Sequence, residues 1–183
     1  MVRMVSRGSQ RIAVDHRGSM VDPAQRRGAM LSGQYECVMD EKGRVAFPAP
    51  FRAALGLTGD DGDVLGRFQL TREPFDGCLV ARTEAAFEDL LKKVLAMPRS
   101  EPLTQHYRRF VVGSAHEIVI DRAGRVNIPK RLREYAGLGR DVIWVGELDN
   151  VELWSRERLD EIGKVMDSIS DEKRREWSEK YGV

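Results

Sequence analysis

The chain is poor in the groups from which most small enzymes and metal proteins are built. It has 2 cysteines, Cys37 and Cys78, and 3 histidines, His16, His106 and His116, among 183 residues. None of them forms a CxxC, a Cys/His cluster or an HExxH spacing. That excludes a disulfide scaffold and a zinc site, so no metal or other cofactor is expected and a reducing cytoplasm is the fitting compartment. The glycines form neither a phosphate-cradling P-loop nor a GxSxG elbow, so no small-molecule substrate is indicated. No apolar run approaches the 18 or so residues of a membrane span. Net charge is also nearly absent: 30 Lys plus Arg stand against 29 Asp plus Glu, a formal +1. A globally basic nucleic-acid coat protein is thereby excluded, and any attraction to a polyanion must come from local clustering. What is present is apolar material for a packed core, 42% of residues, beside 32% charged ones, too much for a wholly disordered chain.

The near-zero balance is an average. Residues 1–29 hold six arginines (Arg3, Arg7, Arg11, Arg17, Arg26, Arg27) against Asp15 and Asp22, or +4, so residues 30–183 are net −3. The leader lacks helical or strand periodicity and reads as a disordered basic arm. It has no continuous apolar stretch and is not a secretory signal. Three readings of it stay open: a functional basic arm, a solvated tail, or residues upstream of a natural start at Met30.

An internal repeat organises the rest. The segment from Glu36 through Asp40, Gly43, Arg44, Val45 and Pro48 to Arg52 and Gly56-Leu57 is echoed from Glu117 through Asp121, Gly124, Arg125, Val126 and Pro129 to Arg133 and Gly137-Leu138. The offset is constant at 81, and 10 of 22 aligned positions are identical. Further on, Leu79–Thr83 and the apolar residues after it align with Val151–Ser155 at an offset of 72, so the first copy carries nine extra residues between Thr58 and Asp76, predicting a longer loop. The chain therefore divides into the leader (1–29), a first repeat (30–97), a connector (98–112), a second repeat (113–166) and a charged extension (167–183) with Trp177 and Tyr181, expected to be helical.

Each copy predicts strand, tight turn, strand, short helix, two strands, long helix. Asp40 and Asp121 open turns that Gly43 and Gly124 close with a positive φ. Pro48 and Pro129 suit a first helical position, and Gly56 and Gly137 the left-handed residue that ends a helix. Thr83 and Ser155 are expected N-caps, and Phe87, Leu90, Leu91, Val94 and Leu95 form a stripe that needs burial. A unit this small cannot cover its own strands, so the copies should pair about a pseudo-twofold axis. The fold class is α+β, one mainly β core with helices outside, leaving apolar surface for self-association.

The Asp-x-x-Gly-Arg turns carry the candidate chemistry. Asp40, Gly43, Asp121 and Gly124 are turn-forming. Lys42 and Arg44 at one tip, and Arg122 and Arg125 at the other, offer donors suited to phosphate and guanine edges. An intraloop Asp–Arg pair is the alternative role, and an exposed pair stabilises little. From 121 to 133 the count is Arg122, Arg125, Lys130, Arg131 and Arg133 against Asp121, or +4, whereas from 40 to 52 it is +1. The second hairpin is the stronger anion site, with Lys130 and Arg131 as secondary contacts. Arg52 and Arg133 are expected to pair with Glu36 and Glu117, with nucleic-acid contact as the alternative role. The histidines have no ligand spacing. An acid/base pair of Asp40 and Asp121 would require both carboxylates in one cleft, and each sits where a turn wants Asp for ordinary reasons, so no enzyme is expected.

These motifs, with Gly33-Gln-Tyr-Glu36 before the first turn, Phe110-Val-Val-Gly113-Ser-Ala115-His-Glu117 before the second, and Val151-Glu-Leu-Trp154 near the end, resemble the MraZ family of bacterial transcriptional regulators over residues 30–166. The resemblance implies a tandem, pseudo-symmetric swapped-hairpin β-barrel related to AbrB-type proteins. It implies a cytoplasmic, nucleoid-associated ring-like homo-oligomer that binds double-stranded DNA at tandem promoter repeats, usually as a repressor of its own division and cell wall gene cluster. It carries DNA contact to Lys42, Arg44 and Arg125. Arg122 and Ala123 depart from the family's loop. The rival reading is an oligomeric or antitoxin-like partner-binding module of the same fold that does not touch DNA.

Overall fold

The computed structural model describes residues 31–57 and 64–182. The basic leader and the choice of Met30 lie outside the described residues. Within them the first repeat runs β1 (Gln34–Val38), β2 (Arg44–Ala46), α1 (Ala49–Ala54), β3 (Val64–Arg72), β4 (Leu79–Arg82) and α2 (Glu84–Ala96). After α3 (Pro102–Phe110) the second runs β5 (His116–Asp121), β6 (Arg125–Asn127), α4 (Lys130–Ala136), β7 (Asp141–Glu147), β8 (Asn150–Ser155) and α5 (Arg156–Asp167), followed by α6 (Asp171–Tyr181).

Six strands form one antiparallel sheet in the order β1-β7-β8-β4-β3-β5, curled as a half-barrel, and β2 pairs with β6 as a separate ribbon. Exchanging the repeats simply reverses that order, which is the expected pseudo-twofold relation. The hairpin arms are swapped. β1 lies against β7 of the second repeat, with Gln34 opposite Val145 and Val38 opposite Asp141, while β5 lies against β3 of the first. Neither repeat completes its own sheet, so the buried face exists only when both are folded together.

The alternation of apolar residues decides which face is inside. Val45 and Val126 point from the ribbon into the core, where they meet Phe68, Leu70, Leu79, Ile118, Ile120, Trp144, Val151 and Leu153 from the sheet. Phe47 sits at the centre, stacked on Phe68 with ring centroids 5.0 Å apart and edge-on to Trp144 at 4.9 Å. Phe51 of α1 and Leu132 and Ala136 of α4 join the same core. The long helices lie outside, and a smaller cluster of Cys78, Val80 and Trp154 with Leu159 and Ile162 sits beneath α5.

Thr83 and Ser155 cap α2 and α5 as expected, each hydroxyl accepting from the backbone N–H three residues on. Two expectations, the position of the prolines and the burial of the α2 stripe, differ from the structure. Pro48 and Pro129 precede the first helical residue instead of occupying it; their extended ψ of 130° and 139° makes them caps, whose carbonyls accept from Arg52 and Arg133 N–H at 3.1 Å. Within the connector, residues 102–110 form α3. The α2 stripe is only partly covered: Val94 is buried but Leu95 is 68% exposed, because α2 rests on β3 and β4 through one edge of its apolar face. The extra residues of the first copy extend β3 to nine residues against the seven of β7 and lengthen its hairpin with β4.

Trp144 ties sheet to ribbon, its indole N–H donating to the Ala46 carbonyl at 2.9 Å. Trp144→Phe keeps an aromatic ring but leaves that carbonyl unpaired, so the unfolding free energy should drop by about 1–3 kcal/mol. Chemical denaturation checks this, and a variant within about 0.5 kcal/mol of wild type would contradict the tie.

Candidate nucleic-acid interface

Each turn is built by its aspartate. Asp40 Oδ1 accepts the backbone N–H groups of Lys42 (3.0 Å) and Arg44 (2.8 Å), and Oδ2 accepts Arg44 Nε at 2.7 Å. Asp121 does the same in the second copy, taking Arg125 N–H at 2.8 Å on Oδ1, and Nε at 3.1 Å and a terminal N–H at 3.0 Å on Oδ2. The backbone N–H of Arg44, then its guanidinium, holds the Asp40 carboxyl below its ordinary value, and the backbone N–H of Arg125 leads the same effect at Asp121. Both carboxylates are thus engaged inside their own turns, and the Asp–Arg pairs of the alternative reading are present.

The turns are braced by the opposite repeat. Gly43 O accepts Ile128 N–H and Gly124 O accepts Phe47 N–H, both at 2.8 Å. Gly43 has φ +82°, and a Cβ there would stand 2.7 Å from Arg133 Nε and 2.9 Å from the Ile128 carbonyl; Gly124, at φ +73°, lies as close beneath the Arg52 guanidinium. Only glycine suits such a position, for its φ and for its lack of a side chain. The expected pairs of Arg52 with Glu36 and of Arg133 with Glu117 are therefore not formed. Arg133 Nε donates to Ile128 O at 3.1 Å, Glu36 pairs with Arg156 at 2.7 Å, and Glu117 pairs with Arg67 at 3.1 Å. The swap explains the difference: each arginine turns inward over the other repeat's turn, while each glutamate faces outward on an edge strand.

The ribbon register sets what faces solvent. Arg44 is opposite Asn127, Val45 opposite Val126 and Ala46 opposite Arg125. The valines are buried and the four flanking residues are exposed, so Arg44, Ala46, Arg125 and Asn127 share one outer face about the pseudo-twofold axis. The Arg44 and Arg125 side chains are 43% and 47% exposed. Lys42 and Arg122 are exposed at the two turn tips. Lys130 and Arg131 are exposed in the first turn of α4, where Glu134 pairs with Lys130 at 3.7 Å and offsets part of the local positive charge. Alternation alone also assigns Ala46 and Asn127 to the outer face, positions that a reading by charge passes over. Away from the ribbon, His116 Nδ1 lies 2.8 Å from Ser114 O and His106 packs edge-on to Phe110.

Comparison with known proteins places this architecture. A family model described as "MraZ protein, putative antitoxin-like" matches residues 30–110 and again 111–177. Among curated proteins, the chain is 36% identical over 143 residues to the transcriptional regulator MraZ of Caldanaerobacter subterraneus subsp. tengcongensis, covering 78% of this chain and 93% of that protein. It is 31% identical over 147 residues to that of Lachnoclostridium phytofermentans, covering 78% and 96%. It is 34% identical over 139 residues to that of Roseiflexus sp. (strain RS-1), covering 76% and 90%.

The turn chemistry has a pH signature. A carboxyl held below its ordinary value of 3.8 contributes stability that is complete above that value and is lost as the pH falls through the lowered one. The double variant Asp40→Asn, Asp121→Asn should be less stable than wild type at pH 7, and the difference should begin to shrink only below about pH 4 and close as the pH falls further through the lowered values. Thermal melts across pH test this, and a difference that persists unchanged into acid would contradict it.

Proposed function

The chain belongs to the MraZ family, and from that premise we propose that it is a transcriptional regulator whose β2–β6 ribbon binds double-stranded DNA. One observation carries the reading: Arg44 and Arg125 stand on the outer face of a single two-stranded ribbon, with Lys42 and Arg122 at its ends. A two-stranded ribbon fits the B-DNA major groove, where arginine can donate bidentately to guanine O6 and N7. Lys42, Arg122, Lys130 and Arg131 are assigned to phosphates, which position the ribbon without reading sequence.

A single ribbon offers few base contacts, so specificity requires several. We assign these to a ring-like homo-oligomer that lays successive ribbons on tandem promoter repeats about one helical turn, roughly 10 bp, apart. Exposed apolar residues on the helices, Leu95, Leu103, Phe110, Val165 and Met166, supply surface for such assembly. The helices of the two repeats are not identical, which favours a head-to-tail contact of the kind that closes into rings. The regulated target is the chain's own division and cell wall gene cluster, and repression follows from occupying its promoter. In the rival reading the same helical surface binds another protein and the ribbon arginines are idle.

Arg44→Ala should lower affinity for duplex DNA from upstream of the chain's own gene by at least about tenfold, with the fold and oligomer intact because the side chain lies at the surface. Gel-shift titration over a salt series measures it. Wild-type binding should weaken steeply with salt. Unchanged binding by Arg44→Ala, or a flat salt response, would remove the ribbon from the mechanism.

A further inference from the structure

The two halves of the ribbon are not equivalent. Across from Arg44 stands Asn127, but across from Arg125, at the symmetry-related place, stands Ala46. Directly opposite residues of an antiparallel pair hold their Cβ atoms about 4.5–5.5 Å apart. One half therefore presents a guanidinium and a carboxamide side by side on the outer face, and the other a guanidinium and a methyl group. Asparagine is a poor strand former, disfavoured relative to Thr or Val at such a place. Its neighbours Val126 and Ile128 are buried, while its own side chain is exposed. Among the described residues no side-chain hydrogen bond or ion pair engages Asn127, whereas the arginine opposite it is fixed by Asp40. Packing, turn formation and charge pairing give no reason for asparagine here.

We infer that Asn127 is a specificity-determining residue that reads adenine in the major groove, next to the base pair contacted by Arg44. The inference rests on the DNA-binding reading of the ribbon and deepens it. An asparagine carboxamide donates to adenine N7 and accepts from adenine N6, a pairing that no other base edge satisfies equally. Ala46 offers only a methyl-sized apolar contact, suited to thymine. The site taken by one subunit is then non-palindromic despite the pseudo-twofold axis. Non-palindromic elements repeated in one direction are what a head-to-tail ring requires, because every subunit meets its element in the same orientation.

The test is site selection from a randomised duplex library by the full-length wild-type chain, Asn127→Ala, Asn127→Thr and Ala46→Asn. Threonine suits an exposed strand position, so Asn127→Thr keeps the ribbon folded while removing the carboxamide. Both Asn127 variants should lose preference for adenine at one position by about tenfold while retaining the guanine positions and the wild-type salt dependence. Ala46→Asn should add an adenine preference at the symmetry-related position and make the selected element more palindromic. If wild type selects a site whose recognition depends on Arg44 but the Asn127 variants select the same site equally well, the ribbon reading stands and the role of Asn127 is overturned. If wild type selects no sequence, both are overturned.

Discussion

Each hairpin turn of this molecule is held by the opposite repeat. Two backbone hydrogen bonds, Ile128 N–H to Gly43 O and Phe47 N–H to Gly124 O, fasten each turn to the strand that leaves the other. Arg133 and Arg52 cover the glycines at the points of contact. This bracing fixes the β2–β6 register, which sends Val45 and Val126 inward and Arg44, Ala46, Arg125 and Asn127 outward. Phe47 and Ile128, whose N–H groups make the brace, are themselves core residues, so the outer face is tied directly to the interior. Surface chemistry and core packing here are two sides of a three-residue strand pair.

The aspartates add local order to that scaffold. Arg44 uses Nε on Asp40, and Arg125 uses Nε and one terminal nitrogen on Asp121, so each guanidinium is oriented before any ligand arrives. An exposed ion pair adds little to folding. Its larger effect is to reduce the side-chain freedom that binding must remove, a cost that otherwise falls on every long flexible arginine at an interface. The overall charge is compatible with this. A chain of net +1 lacks the diffuse field of a coat protein, so the proposed DNA contact depends on a few oriented cations.

Much of the architecture was readable from local pattern. The 81-residue offset, the Asp and Gly of the turns, the caps at Thr83 and Ser155, and the order of strands and helices follow from backbone preferences that act over a few residues. What escaped depends on long-range pairing. Glu36 and Arg52 lie on one repeat at a spacing that invites a pair, yet the swap sends Arg52 over Gly124 and leaves Glu36 to Arg156 of the second repeat. Leu95 belongs to a good helical stripe, but the position of α2 on the sheet leaves it in solvent. The outward placement of Asn127 was available from alternation, and its place opposite Arg44 emerged only with the register. The assignment of Lys42, Arg44 and Arg125 to DNA rests on the family resemblance together with charge and exposure, and that of Arg122 on charge and exposure alone.

If the braced ribbon is the surface that meets DNA, its two turns must be shielded in the complex. Amide hydrogen exchange of the full-length chain, with and without duplex from upstream of its own gene, measures that shielding. Added DNA should slow exchange in peptides covering residues 40–46 and 121–127 and leave those from α2 and α5 unchanged at constant oligomer size. Slowed exchange confined to the helices, with both turns unaffected, would contradict that role of the ribbon.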